Sequence, residues 1–159
     1  MLAFSALIGA FLIINSKVSS RIEEATTENS LSADSRRALQ TLLTTSGSPS
    51  NWTREENVSR IFSIGIASSR FVVDSRKLAR LEELNSTNYS LIKSLLGISK
   101  PGYEFELSVK YQNGTTAPLA GLKKTDSNKT ASISNSFAVL KGESALISLN
   151  LWMNAQEGG

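Results

Sequence analysis

The sequence predicts an α+β protein: a long projecting apolar N-terminal helix, then a small globular head with short helices and an antiparallel β-sheet. Three observations predict it. The first fourteen residues, MLAFSALIGAFLII, are almost wholly apolar. Leucine-rich stretches with a helical period follow, and from Tyr103 the apolar period changes to two. With 159 residues there is room for one head domain, so we expect an apolar assembly or membrane helix over residues 1–30 and a globular head over residues 31–159.

The apolar run at residues 1–14 is compatible with a signal peptide, a membrane span or a buried assembly helix. A signal peptide has basic residues before the run and a small-residue cleavage site after it, and a membrane span needs about 20 apolar residues. This run lacks all three features. Since no Lys or Arg precedes it, we expect Met1 to be the first residue left after a short basic leader is removed. A chain trimmed at this point, or an atypical anchor, is the alternative.

Residues 15–29 contain neither Pro nor Gly, so we expect the helix to continue and to become amphipathic. A helix that is apolar on all sides must be surrounded by lipid or protein. At 1.5 Å per residue, residues 1–28 would span about 42 Å, which predicts projection from the head. The large side chains of this assembly helix are Met1, Leu2, Phe4, Leu7, Ile8, Phe11, Leu12, Ile13 and Ile14. The small residues that permit close helix packing are Ala3, Ser5, Ala6, Gly9 and Ala10.

Helical patterns and caps recur in the first half of the head. Residues 31–45 restart a helical period with Ser32 as a candidate N-cap, and the pattern is compatible with a separate helix or with a continuation of the first. Residues 61–67 form an apolar run of strand length, although a helical turn is also compatible. Asp74 predicts the N-cap of a helix, and a second short helix is expected over residues 89–96.

The last third of the chain has the period of strands. Residues 103–111 alternate apolar and polar, which predicts a strand with one solvent-exposed face. Asn113-Gly114 predicts a turn. Residues 132–140 and 144–153 predict a hairpin around residues 141–143, with Trp152 on the opposite face from Leu151 and Met153.

The composition excludes most enzyme chemistry. The chain has no Cys and no His, so thiol nucleophiles, zinc-thiolate sites and His-dependent triads are absent. Paired glutamates such as Glu82-Glu83 point about 100° apart on a helix, and no phosphate-binding glycine loop occurs. The net charge is only +3, and the basic residues are dispersed among acidic ones. We therefore expect no catalytic residues, cofactor, metal or nucleic-acid partner.

The acceptor pattern for N-linked glycosylation, N-x-[ST], occurs six times. The acceptor residues are Asn51, Asn57, Asn85, Asn88, Asn113 and Asn128. Asn, Ser and Thr also gather in caps and turns for local reasons, and Asn88 in particular is a candidate N-cap. We predict an oligosaccharide on at least one of the six, which indicates an extracellular location.

The order of several segments resembles that of archaeal type IV pilins, the prepilins with a class III signal peptide, over nearly the whole chain. After the apolar run come SRRALQTLLTTSGSPSNW at residues 35–52 and IGIASSRFVVDSRKLARLEEL at residues 64–84. YSLIKSLLGISKPGYEFELSV at residues 89–109 and FAVLKGESALISLNLWM at residues 137–153 complete the resemblance. Bacterial relatives usually have a glutamate at the fifth mature position, where this chain has Ser5; this favours the archaeal branch or places the mature terminus elsewhere.

This resemblance implies a structural role and not an enzymatic one. It implies a mature pilin in an extracellular, glycosylated filament that attaches cells to surfaces. Copies would form a homopolymer through their N-terminal helices after transient insertion in the cytoplasmic membrane. A prepilin peptidase and a pilus assembly machinery are implied as partners. The alternative is a membrane-anchored surface or ligand-binding glycoprotein that does not polymerise.

Overall fold

The computed structural model describes residues 2–124 and 130–154; side chains are described at Val18, at Ile22 and from Ala25 onward within those ranges. The chain divides into two compact units, Met1–Ser30 and Leu31–Gly159. The helices are α1 (Leu2–Thr44), α2 (Ser75–Thr87) and α3 (Tyr89–Leu95), with 3-10 turns at Trp52–Arg54 and Val58–Arg60. The strands are β1 (Ala67–Ser69), β2 (Val72–Val73), β3 (Tyr103–Lys110), β4 (Thr116–Gly121), β5 (Ala131–Leu140) and β6 (Glu143–Met153).

The observed fold is α+β, but the prediction of its first element, a long apolar N-terminal helix, is wrong. In place of a long apolar N-terminal helix, the chain has one continuous helix, Leu2–Thr44, that is not apolar as a whole. Val18 and Ile22 are 49% and 61% exposed, and in the described part of the chain no helix is long and apolar enough to cross a membrane. The reason is local: the apolar run ends at residue 14, while no Pro or Gly stops the helix until Gly47, so it continues through polar sequence.

The last turns of α1 form one wall of the head's core. Leu31, Leu39, Leu42 and Leu43 are buried at spacings of three, four and eight residues, which places them on one helix face. Ser35 is fully buried on this face, and its Oγ donates to the carbonyl of Leu149 in β6 at 3.1 Å. Residues 31–44 are thus a continuation of the first helix, and the prediction of an N-cap at Ser32 is wrong.

A loop between α1 and β1 is held by Trp52. Its side chain is fully buried, and its indole Nε1–H donates to the carbonyl of Gly65 at 3.0 Å. The strand predicted over residues 61–67 is reduced to an isolated bridge between Ser48 and Ser63, followed by β1. Backbone N–H groups of this loop instead donate hydrogen bonds to carbonyls at the end of α1. For example, Ile66 N donates to the Leu42 carbonyl at 2.9 Å.

Of the three predicted N-caps, those at Asp74 and Asn88 are confirmed. Asp74 accepts a hydrogen bond from the backbone N–H of Arg76 at 2.9 Å, and α2 follows it. Asn88 accepts from the backbone N–H of Leu91 at 3.2 Å at the start of α3. Three leucines of α2 face the core, which gives the helix its inner face: Leu78, Leu81 and Leu84.

The strands form a six-stranded sheet curled into a half-barrel, in the order β1-β2-β5-β6-β3-β4. The predicted strand β3 and the hairpin β5–β6 are confirmed. The sheet is not wholly antiparallel as predicted, because β2 pairs with β5 in parallel. Sequence reasoning also missed β4, whose Pro118 and Gly121 weaken the strand pattern. As β4 lies at the edge of the sheet, it tolerates a proline.

The two faces of the sheet differ in chemistry. One face packs on the helices and carries buried residues such as Phe105, Leu107 and Ile147. The other, which we call the outer face, carries the alternate residues, including the cross-strand pairs Glu106–Asn150 and Ser108–Ser148. Trp152 belongs to the outer face by register, as predicted, yet it is only 3% exposed.

Candidate functional site

Among the side chains that the structure describes, no three acidic groups lie close enough together to hold a metal ion. Glu82 and Glu83 are both exposed, and Glu83 forms an ion pair with Arg80 at 2.7 Å. The carboxylate pair on α2 is thus a solvated helix surface.

The predicted assembly residues lie at the limit of what the structure describes. Met1 is outside the described residues. For the others the helical backbone of α1 is described and the side chains are not: Leu2, Ala3, Phe4, Ala6, Leu7, Ile8, Gly9, Ala10, Phe11, Leu12, Ile13 and Ile14.

Asn113 occupies the turn between β3 and β4. Asn113, Gly114 and Thr115 are all exposed. The side-chain Oδ1 of Asn113 accepts a hydrogen bond from Thr115 N at 2.9 Å. The turn is closed by the bond from Gly114 N to the Tyr111 carbonyl at 3.0 Å, so it is an ordered and fully accessible loop.

Asn51 and Asn57 lie at the starts of the two 3-10 turns, and both are exposed. The residue after Asn51 is the fully buried Trp52. Asn57 Oδ1 accepts hydrogen bonds from both the backbone N–H and the hydroxyl of Ser59, at 3.0 and 2.7 Å. These two acceptor patterns are therefore part of a loop anchored in the core.

Asn85 is in the last turns of α2 and is half-buried. Its Oδ1 accepts from Gly121 N at 2.8 Å, and its Nδ2 donates to the Gly121 carbonyl at 3.5 Å. The Asn85 amide thus pairs with β4 as a neighbouring backbone would. Asn88 is the exposed N-cap of α3 described above, and Asn128 lies outside the described residues.

A polar cluster joins α3 to the start of β3. The Tyr89 hydroxyl donates to Glu104 Oε2 at 2.5 Å, and Lys93 Nζ forms an ion pair with Glu104 Oε1 at 3.0 Å. The Tyr89 ring stacks on Phe105 with centroids 5.5 Å apart. Burial of the phenol, followed by its hydrogen bond to Glu104, raises the pKa of Tyr89 well above its usual value. The cluster fixes α3 against the sheet.

Lys77 is a second feature that the sequence did not reveal. Its side chain is only 8% exposed, and its Nζ donates to the carbonyls of Ser46 and Ala67 at 2.8 and 3.1 Å. Burial lowers the pKa of Lys77. The ammonium group satisfies two loop carbonyls, which indicates a structural role. No pattern in the sequence separates this lysine from the exposed Arg76 beside it.

The outer face of the sheet carries an open groove of about 770 Å³. Its floor includes Glu106, Ser108 and Asn150, and Asn150 Oδ1 has no hydrogen-bond partner among the described residues. Along β5, Ile133 and Phe137 are 62% and 70% exposed. We call these two exposed side chains the apolar border of β5. The period-two pattern of residues 131–140 is the signal that could have predicted them.

The comparisons with known proteins add no relative. No family model, no curated protein and no solved structure matches the chain.

Proposed function

We propose that the chain is the structural subunit of an extracellular filament, assembled through the apolar run at its N-terminus and serving in attachment to surfaces. The observation that carries the proposal is the run itself. Residues 1–14 contain no charged side chain, and the helix α1 that begins in them at Leu2 ends at Thr44. A segment of this composition requires an apolar environment.

Burial energies support a stable polymer. The run contains nine large apolar side chains, and at about 2 kcal/mol for each one buried they represent about 18 kcal/mol relative to water. Contacts between copies at Ala6 and Gly9 would allow close helix packing, because neither residue has a bulky side chain.

The head supplies the second line of support. Its acceptor asparagines at Asn51, Asn57, Asn88 and Asn113 are exposed, as expected of a surface that faces the cell exterior. The head also exposes the outer groove and the apolar border of β5, which are surfaces available for contact with other molecules. The role is structural and needs no catalytic group.

Negative-stain electron microscopy of surface material, with N-terminal sequencing of the subunit, tests this proposal. In the same cells, Gly9→Arg or Ala6→Arg is expected to abolish filaments, because each buries a charge in the proposed helix contacts. The head is expected to fold in both variants. Asn29→Arg, at an exposed position of α1, is the matched control and should leave filaments intact.

Normal filaments from the Gly9→Arg variant would contradict assembly through the apolar run. A subunit found only as a monomer in membrane fractions would support the anchored glycoprotein instead.

A further inference from the structure

We infer that Asn113 is the residue at which this chain carries an N-linked oligosaccharide, and that the acceptor pattern at Asn85 is structural and unmodified. This inference rests on the proposed extracellular function. It separates the acceptor asparagines by contacts that their sequence patterns do not show.

The chemistry defines what a modifiable asparagine must offer. A transferase joins Asn Nδ2 to the anomeric carbon of an oligosaccharide supplied on a lipid-phosphate carrier. The new bond is Nδ2–C1, the bond broken is that between C1 and the carrier phosphate oxygen, and the phosphate departs as the leaving group. The proton lost from Nδ2 passes to solvent. The amide nitrogen must therefore be unengaged and exposed, and the Ser or Thr two residues later must be accessible as well.

Asn113 meets these requirements. Its hydrogen bond from Thr115 N engages Oδ1, and its Nδ2 donates to no group in the described part of the chain. Asn113, Gly114 and Thr115 are all exposed, and it is the only acceptor pattern with this property among the five within residues 2–124 and 130–154. A Cβ added at Gly114 would meet nothing within 4 Å, so the space above the turn is open.

Asn85 fails on the requirement for a free and exposed amide: it is half-buried, although Thr87 two residues later is exposed. Both polar atoms of its side chain are engaged with the Gly121 backbone. Its partner hydroxyl, that of Thr87, donates to the carbonyl of Glu83 at 3.2 Å within α2. Gly121 has φ +96°, and an added Cβ would lie 2.2 Å from the Phe105 carbonyl oxygen, so β4 turns away tightly at this point. The Asn85 amide secures that turn.

The remaining three described patterns are anchored through their middle residues. Trp52, after Asn51, is fully buried. Val58 packs against the core, and its pattern's Ser59 hydroxyl already donates to Asn57. Tyr89, after Asn88, is held by Glu104 and Phe105. A transferase acting on the folded head would have to extract these residues from their contacts.

Glycopeptide mass spectrometry of the full chain, purified from the cells that produce it, tests the inference. The variant Thr115→Ala removes the hydroxyl that the N-x-[ST] pattern requires. It keeps the turn, since the hydrogen bond to Asn113 Oδ1 comes from the Thr115 backbone N–H. It is expected to lose the mass of one oligosaccharide, whereas Thr115→Ser retains it. Thr87→Ala is the matched control at the Asn85 pattern, and its mass is expected to change only by the substitution.

An unmodified Asn113 peptide in the unaltered chain, or a modified Asn85 peptide, overturns the inference. Microscopy of the same preparations keeps the two proposals separate. If the chain forms filaments but Asn113 is unmodified, only the glycosylation at Asn113 is refuted. If Asn113 is modified but the chain forms no filaments, the glycosylation is supported and the proposed filament is refuted.

Discussion

Replacing Trp52 with Phe removes the side-chain bond that holds the loop between α1 and β1. The Gly65 carbonyl then loses the indole donor at 3.0 Å, and a buried carbonyl left without a partner costs about 1–3 kcal/mol. Phe also lacks part of the indole ring at a fully buried position, which at about 0.8 kcal/mol per buried CH₂ adds about 1–2 kcal/mol. We therefore expect Trp52→Phe to lower the free energy of unfolding by about 2–5 kcal/mol.

Urea denaturation of the full chain in mild detergent measures this loss. The chain has two tryptophans, so Trp152 remains as the fluorescence reporter in Trp52→Phe. Trp152→Phe is the matched control, because Trp152 is equally buried but its indole makes no hydrogen bond among the described residues. The difference between the two variants isolates the bond to Gly65. If Trp52→Phe destabilises the chain no more than Trp152→Phe does, the reasoning is refuted.

Two further predictions concern pH. In Tyr89→Phe, the stability advantage of the unaltered chain is constant below pH 10, the usual pKa of tyrosine, and shrinks by about 1.4 kcal/mol per pH unit above it. The reason is that the raised pKa keeps Tyr89 protonated in the folded state while the unfolded chain ionises; urea titrations between pH 8 and about 12 measure it. For Asp74, burial opposes ionisation, but the hydrogen bonds and the charge of Arg76 outweigh it and lower the pKa below 3.8. Asp74→Ala is expected to cost about 1 kcal/mol at neutral pH, and this difference should shrink as the pH falls through the lowered pKa, because protonation removes the charge-dependent part of the cap.

Each pH prediction has a control. Asp74→Asn keeps a capping oxygen without a charge, so it should be more stable than Asp74→Ala, and the difference between these two variants should not change as the pH falls. A cost of Asp74→Ala that persists undiminished at pH 2 would show that the ionised cap is not its source. If the difference in the free energy of unfolding between Tyr89→Phe and the unaltered chain does not change above pH 10, Tyr89 has the same pKa in the folded and unfolded states.

Several elements follow from local sequence alone. The alternation of residues 103–109 and the turn residues Lys141-Gly142 specify β3 and the β5–β6 hairpin, because each strand pairs with a neighbour close in sequence or has one clearly apolar face. Asp74 and Asn88 specify their helix starts, because a capping side chain satisfies backbone N–H groups only two or three residues away.

Other elements depend on partners distant in sequence. The parallel pairing of β2 with β5 joins Val73 to Leu140, and two residues of β2 carry no period that would predict it. The edge strand β4 contains a proline and is formed because β3 offers it a partner. The apolar character of residues 1–14 led to the wrong prediction of a long apolar helix, because most of α1 lies beyond that run, in polar sequence that no Pro or Gly interrupts.

By itself, the sequence determined the α+β class, the absence of thiol and imidazole chemistry, the apolar start and the acceptor asparagines. Only the tertiary structure decided which of these asparagines has a side-chain amide that is free to react. Asn85 and Asn113 have the same three-residue signature, yet one amide is paired with Gly121, 36 residues away in the chain, and the other stands on an open turn. The physical reason is that a signature records covalent neighbours, whereas the availability of an amide is set by burial and hydrogen bonds to residues that folding brings beside it.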